Sequence, residues 1–237
     1  MKVFNDTKNN KKKILFFGRL DCKYSKKLIK KLKFYNFDLT TVYSNKRGEI
    51  IPKHILSWTG EYIICFRSLY ILPKALLKKT RVASINFHPG PPEYPGSGCF
   101  NFALYEEVTK YGVTAHIMNS NIDNGDILEV RRFPVKRISS LDALIKKTHK
   151  ELFDLCEDFI YSLAEKGETV ILKKKTLSKD EKWRGNARKI KELQSLQTIK
   201  PTISKKELER IVKATYTKKY PPKIELHGFK FYLKLDD

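Results

Sequence analysis

Cysteine is scarce in this chain of 237 residues, which contains only four. They lie far apart and never form a Cys-x-x-Cys pair: Cys22, Cys65, Cys99 and Cys156. Structural zinc sites and disulfide frameworks need closely spaced or paired cysteines. We therefore expect reduced, partly buried thiols and no metal site.

Long apolar runs are also lacking. No stretch approaches the ~20 residues that a helix needs to cross a bilayer. The first ten residues are polar and lack the apolar centre of a secretory signal. We therefore expect a cytoplasmic protein without membrane insertion. The hydrophobic fraction of 41% nevertheless excludes a disordered polyelectrolyte and is sufficient for a globular core.

Acidic residues are few, with 26 against 48 basic residues and a net charge of +22. Such an excess suits either a polyanionic partner or a solvated surface. Lysine supplies 38 of the basic residues, spread from Lys2 to Lys234, whereas arginine, the usual clamp for phosphates, supplies ten. Because no RNP, KH or zinc-finger pattern accompanies the lysines, a solvated surface is favoured and a nucleic-acid partner is not expected.

The first two thirds of the chain alternate between strand-like and helix-like patterns. Apolar or β-rich runs predict strands over 13–18, 37–43, 62–66, 82–87, 112–118 and 126–133, and helical patterns cover 21–34, 73–77, 100–109 and 140–164. This alternation predicts an α/β fold with a Rossmann-like, doubly wound sheet. A loop rich in proline and glycine, 88–98, follows the fourth strand, where such sheets bind their ligands.

The composition changes after the long helix, so we divide the chain into a core, 1–165, and a C-terminal extension, 166–237. The extension begins with a polar stretch, and a short helix over 204–215 follows. Alternating residues around His227-Gly228 predict a terminal β-hairpin. Because a hairpin is marginal alone, it must pack on the domain or on another subunit, which suggests a homodimer.

Three polar residues occupy positions suited to chemistry. Asn86 and His88 lie two residues apart at a strand end, so both side chains share one face, and Asp123 lies in a later loop. An amide and an imidazole aimed together can stabilise a carbonyl oxygen that gains charge. A nearby Asp123 would raise the His88 pKa and relay protons through water. The same residues also occur as a loop cap with a surface histidine and an ordinary turn, so both interpretations stay open.

Longer motifs surround these residues. Asn-Phe-His-Pro-Gly at 86–90, Gly-Val-Thr-Ala-His at 112–116 and Ile-Asp-Asn-Gly-Asp at 122–126 follow one another in this order. Together they resemble the 10-formyltetrahydrofolate-dependent formyltransferases, and most of all the compact sugar N-formyltransferases. Ile122 replaces the usual leucine. The resemblance runs from about Tyr62 to Phe133.

This resemblance implies a site and a co-substrate. Asn86 and His88 would stabilise the tetrahedral oxyanion formed when an amine attacks the formyl carbon, and Asp123 would help relay the proton to the departing folate nitrogen. The co-substrate would be 10-formyltetrahydrofolate, with no metal. The implied cofactor-binding residues come from two loops: Ser68, Leu69, Tyr70, Asn119 and Ser120.

The proline-rich loop is similar to that of sugar N-formyltransferases acting on dTDP-4-amino-4,6-dideoxysugars. The resemblance thus implies a dTDP-linked amino sugar as acceptor, such as dTDP-4-amino-4,6-dideoxyglucose, in surface polysaccharide (O-antigen, lipopolysaccharide) biosynthesis. Candidate substrate-binding residues are Gly90, Tyr94, Trp183, Arg184, Tyr216 and Tyr220.

Two alternatives remain. Methionyl-tRNA formylation is favoured by the basic charge, although too few residues follow the core for the additional barrel of that enzyme. A catalytically idle RNA-binding module on the same fold is the other.

Overall fold

The computed structural model describes residues 11–135, 138 and 140–235. The polar N-terminus, on which part of the cytoplasmic expectation rests, lies outside these residues. Among the helices of the described ranges, none combines the length and the apolar character that crossing a membrane requires.

The core alternates strands and helices along the chain. Its elements are β1 (Lys13–Arg19), α1 (Lys23–Phe34), β2 (Asp38–Ser44), a 3₁₀ helix (Lys53–Ser57), β3 (Gly60–Phe66), α2 (Lys74–Leu77), β4 (Thr80–His88), α3 (Cys99–Tyr105), β5 (Lys110–Ile117), β6 (Ile127–Pro134) and α4 (Leu141–Lys166). The six strands form one mixed sheet in the order β2-β1-β3-β4-β5-β6. The first four are parallel, whereas β5 and β6 are antiparallel to their neighbours. The predicted α/β fold is confirmed.

Apolar residues on both faces of the sheet explain this layering. The central strands are buried along almost their whole length, as parallel strands covered by helices must be. Helices α1 and α4 cover one face, and α1 turns Leu28, Ile29 and Leu32 inward while its lysines face solvent. A smaller cluster, which includes Ile55 and Leu76, covers the other face.

Helix α3 ends four residues earlier than the pattern predicts. The sequence favours a helix to residue 109, but the helix stops at Tyr105 and Glu107 adopts a φ of +54°. A positive φ cannot continue a right-handed helix. The chain therefore turns here and enters β5.

The C-terminal part contains α5 (Thr169–Leu177), α6 (Ile190–Leu196), β7 (Thr198–Ile199), α7 (Lys205–Thr215), β8 (Lys223–Leu226) and β9 (Phe229–Tyr232). The predicted hairpin is confirmed as β8–β9, and β7 adds a third strand. The polar stretch at the start of the extension contains two helices that the sequence pattern did not indicate, α5 and α6. Helix α5 has no continuous apolar stripe, since Leu172 is exposed. Contacts with β6 stabilise the helix instead: Lys174 pairs with Glu129, and Ser178 Oγ donates to the Leu128 carbonyl.

Candidate active site

The end of β4 meets the antiparallel strand β5 at the carboxyl edge of the parallel strands. Asn86 lies directly opposite His116 in the β4–β5 register. The Asn86 amide nitrogen lies 3.1 Å from Nε2 of His116. Two polar side chains from neighbouring strands are thus paired before any loop contributes.

The loop after β5 brings Asp123 to this pair. Asp123 Oδ2 lies 3.1 Å from His88 Nδ1, and Asp123 Oδ1 lies 3.3 Å from His116 Nε2. The Asn86 amide also donates to Asp123 Oδ1 at 3.4 Å. Asn86, His88 and Asp123 therefore converge around one point, joined there by His116.

Backbone geometry holds the Asp123 loop in place. Asp123 adopts a φ of +43°, and the Gly96 amide donates to its Oδ2 at 2.8 Å. Gly125 packs so closely on β5 that a Cβ would lie 1.9 Å from the Ile117 carbonyl oxygen. A side chain at position 125 would therefore push this loop away from the strand end.

His88 is surrounded by hydrogen-bond acceptors. Its Nδ1 faces the Asp123 carboxylate, and its Nε2 lies 2.9 Å from the Tyr94 carbonyl oxygen. Both partners can only accept, so these contacts favour a hydrogen on each ring nitrogen, that is, the imidazolium form. Burial opposes this charge, but the charge and hydrogen bond of Asp123 outweigh burial and raise the pKa of His88 above its ordinary value.

Asp123 keeps its negative charge despite being buried. Burial alone would raise the pKa of its carboxyl, but the charges and hydrogen bonds of His88 and His116 hold it well below its ordinary value. The site therefore contains a fixed carboxylate beside an imidazolium. Such a pair orients the imidazolium and offers a proton donor next to a fixed anion.

His116 is a site residue that the sequence analysis did not select. Its Nδ1 donates to the Ile117 carbonyl at 2.9 Å, which leaves Nε2 directed at Asn86 and Asp123. A signal was present, because His116 ends the Gly-Val-Thr-Ala-His motif. Only the antiparallel register reveals that it faces Asn86.

A segment of the C-terminal extension, 183–188, lies along the loop that follows His88. Its backbone pairs with that loop: the Arg184 amide donates to the Pro92 carbonyl, and Arg188 exchanges hydrogen bonds with Pro95 and Ser97. The Trp183 indole donates to the Gly125 carbonyl at 2.8 Å. Its ring packs edge-on against both His116 and His88, with centroids 5.0 and 5.8 Å apart.

A cavity of about 460 Å³ opens beside these residues. The predicted catalytic residues line it: Asn86, His88 and Asp123. So do all five predicted cofactor-binding residues: Ser68, Leu69, Tyr70, Asn119 and Ser120. Within the described ranges, no group of three or more potential metal ligands comes together, and the four cysteines are buried free thiols.

None of the six candidate substrate-binding residues lines this cavity: Gly90, Tyr94, Trp183, Arg184, Tyr216 and Tyr220. Gly90 and Tyr94 are buried behind His88, and the Tyr94 hydroxyl donates to Glu106. Trp183 lies against the two histidines. Arg184 and Tyr220 are exposed, and Tyr216 is half-buried after α7. Sequence position alone could not show that these residues lie outside the cavity.

Comparison with known proteins places these features in context. The formyl transferase family model matches residues 12–155, more than half of the chain. The methionyl-tRNA formyltransferase of Ehrlichia canis is 32% identical over 113 residues, which cover 47% of this chain and 37% of that protein. The chain thus spans well under half the length of the curated relatives that it matches.

Solved structures share the fold over nearly the whole chain. A sugar N-formyltransferase from Shewanella sp. FDAARGOS_354 superimposes with a TM-score of 0.69 at 19% identity, covering 94% of this chain and 97% of that one. The N-formyltransferase from Helicobacter canadensis, solved with folinic acid and dTDP-3-aminofucose, gives 0.65 at 12% identity, covering 91% and 84%. With the family match over residues 12–155, these findings show that the chain belongs to the formyl transferase family.

Proposed function

We propose that this protein is an N-formyltransferase that moves the formyl group of 10-formyltetrahydrofolate to the amine of a nucleotide-linked amino sugar. The observation that carries the proposal is the convergence of Asn86, His88 and Asp123 beside one cavity in a formyl transferase fold. Removing any one member would leave a buried polar group without its partner.

The proposed reaction is direct transfer without a covalent enzyme intermediate. The acceptor amine attacks the formyl carbon, a new C–N bond forms, and the carbonyl oxygen takes up the electron pair. The Asn86 amide stabilises this oxyanion by donating a hydrogen bond, and the His88 imidazolium, whose two N–H groups face Asp123 and the Tyr94 carbonyl, stabilises it through its positive charge. The bond to folate N10 then breaks, and the proton lost by the amine reaches N10 through water with the help of Asp123.

Hydrogen bonds to strand β2 hold the first of the two loops proposed to bind the folate, and a hydrogen bond within the second loop holds that one. The Leu69 amide donates to Ser44 Oγ at 2.8 Å, and the Tyr70 hydroxyl donates to the Tyr43 carbonyl. Asn119 accepts from the Asn121 amide across the second loop. Both loops flank the cavity, so a flat pterin ring can lie between them with N10 near Asn86.

An amino sugar as acceptor is supported by the fold of sugar N-formyltransferases, and one such structure contains dTDP-3-aminofucose. We propose a dTDP-linked 4-amino-4,6-dideoxysugar, used in building surface polysaccharides. Methionyl-tRNA is the second candidate. Its support is the 32% identity to the Ehrlichia canis enzyme and the net charge of +22.

Parallel assays separate these acceptors. The protein is incubated with 10-formyltetrahydrofolate and either dTDP-4-amino-4,6-dideoxyglucose or charged initiator tRNA. We expect formylated sugar and no formylated tRNA. Salt-sensitive RNA binding without turnover on any amine would instead support the idle RNA-binding module.

The catalytic assignment has its own test. We expect Asn86→Ala to lower kcat about 10²–10³-fold, because it removes one oxyanion donor, with folinate affinity maintained. His88→Ala should cost at least as much. Undiminished turnover in both variants would contradict the proposed roles.

We also propose a homodimer formed through the terminal hairpin. Phe229, Phe231 and Tyr232 on β9 are 70%, 57% and 61% exposed. Three large exposed side chains on one short strand are unusual on a monomer surface and favour an interface.

A further inference from the structure

The cavity beside the candidate active site is lined by arginines and by no lysine of the described residues. Four of the ten arginines line the cavity: Arg19, Arg47, Arg67 and Arg188. Most of the others pair with carboxylates: Arg81, Arg131, Arg132 and Arg210. Arg188 pairs with Glu106. In the part of the chain that the structure describes, Arg19, Arg47 and Arg67 have no carboxylate within 4.0 Å.

Two of these arginines, Arg19 and Arg67, lie at the same edge of the sheet as His88. Phe17, Cys65 and Asn86 are aligned across the parallel strands β1, β3 and β4. Arg19 and His88 end β1 and β4, two residues after Phe17 and Asn86, and Arg67 directly follows β3, where its φ of +55° turns the chain out of the strand. Because neighbouring strands lie ~4.8 Å apart, Arg19 is ~10 Å from His88 along the edge of the sheet.

Helix α1 adds to the positive field at this edge. It begins at Lys23, directly after β1, and has no acidic residue in its first turn. The helix N-terminus carries a partial positive charge. Arg67 Nη1 contacts the Cys22 Sγ at the start of this helix, at 3.2 Å. That thiol is the hydrogen-bond partner of the Arg67 guanidinium among the described residues.

His149, from α4, lies near the same arginines and is affected by their charge. Burial, followed by repulsion from Arg67 and Arg19, lowers the His149 pKa to about 3. The ring is therefore neutral at physiological pH. Partly buried cations without a counter-charge are costly, unless a ligand supplies the anion.

We propose that Arg19 and Arg67 bind the diphosphate of the nucleotide-linked sugar, with the exposed Arg47 at the entrance. This inference rests on the proposed function and names the part of the acceptor that the cavity holds. Guanidinium forks match phosphate oxygens in bidentate pairs. One sugar ring separates the diphosphate from the amine, so anchoring at Arg19 and Arg67 directs the amine toward Asn86 and His88.

Direct binding tests this subsite. Dissociation constants for dTDP, thymidine and inorganic pyrophosphate are measured by calorimetry on the full chain and on Arg19→Gln and Arg67→Gln. We expect each substitution to weaken dTDP and pyrophosphate at least tenfold and to leave thymidine unchanged. With the complete acceptor, KM should rise while kcat changes little.

Controls distinguish a binding role from a structural one. Arg81→Gln lies at the opposite end of β4, where Arg81 pairs with Glu61, and should bind like the unaltered protein. Arg67→Lys keeps the charge without the fork and should recover part of the affinity, which a folding defect would not allow. Melting curves identify any unfolded variant. If Arg67→Gln is unfolded, the dTDP affinity of Arg19→Gln decides whether the subsite exists.

Three results would overturn the inference: no binding of dTDP and pyrophosphate to the unaltered protein, unchanged affinity in both variants, or loss of folinate affinity with dTDP affinity kept. The last would assign the arginines to the folate carboxylates. If the variants lose dTDP binding but no amino sugar is formylated, the subsite stands and the proposed acceptor is wrong.

Discussion

The charge state of His88 depends on one carboxylate. Folding raises the His88 pKa above 6.5 and lowers that of Asp123 below 3.8. The contribution of His88 to stability is fully present below pH 6.5 and is lost as pH rises through the raised pKa. The contribution of Asp123 is present above pH 3.8 and is lost as pH falls through the lowered pKa. The His88–Asp123 pair therefore stabilises the fold most between pH 3.8 and pH 6.5.

Asp123→Asn should lower the His88 pKa, because burial then acts on the ring without the opposing charge. The measurement is the pH titration of the His88 ring by NMR, assigned by comparison with His88→Gln. Asp126→Asn is the matched control, since Asp126 is exposed in the same loop and pairs with Lys175. Identical His88 titrations in Asp123→Asn and the unaltered protein would contradict the assigned partnership.

We propose that Trp183 positions the two histidines, whereas the sequence suggested a substrate contact. Trp183→Ala should lower kcat about 10–100-fold, because both histidines lose their packing and the Gly125 carbonyl loses its donor. Trp183→Phe, which keeps a ring, should lose less. A substrate contact would instead raise KM for the acceptor with kcat unchanged, so steady-state kinetics on both variants separates the two roles.

At the scale of elements, the loop between β5 and β6 is the part that completes the site. It carries Asp123, and its path depends on Gly125 lying against the end of β5. The segment 183–188 then covers the loop after His88. Strands β4 and β5 therefore place Asn86, His88 and His116, and the rest of the site depends on the β5–β6 loop, the loop after His88 and the segment 183–188.

Gly125→Ala should displace this loop and destabilise the protein by ~1–3 kcal/mol, because the added methyl group overlaps the Ile117 carbonyl. Activity should fall further than stability, since Asp123 moves with the loop. Thermal unfolding and kcat are the measurements. Gly185→Ala serves as the control, as no atom lies within 4 Å of its Cβ position, although its positive φ adds some strain. Full activity in Gly125→Ala would show that the close contact does not position Asp123.

At the scale of the whole molecule, the C-terminal extension serves two purposes. Its first half supports the candidate site through Trp183 and Arg188, and its last strands present an apolar surface. The 38 lysines supply most of the positive charge, while four of the ten arginines line the cavity. The net charge of the protein therefore reflects mainly its lysines, whereas the charge of the cavity comes from arginines.

The proposed dimer predicts that Phe229→Asp combined with Phe231→Asp yields a monomer, because two charges cannot be buried in an apolar interface. Light scattering after size exclusion gives the mass. Leu172→Asp, which alters an exposed leucine on α5, should leave the assembly unchanged. A monomeric unaltered protein would remove the basis for this surface as a homodimer interface.

Sequence alone determined the alternation of strands and helices, since buried strands and amphipathic helices leave local patterns that need no distant partner. The same holds for Asn86 and His88, whose shared face follows from strand geometry. Helix α5 was not predictable, because its Lys174 and Ser178 contacts come from β6 rather than from its own periodicity.

Only the tertiary structure decided which polar residues meet. His116 faces Asn86 through antiparallel pairing, and Trp183 reaches both histidines from residues far along the chain. Arg19 and Arg67 lie at the same edge of the sheet as His88 because the parallel strands β1, β3 and β4 end there. Such contacts depend on register and on the path of loops, and these are set by packing between distant segments rather than by local composition.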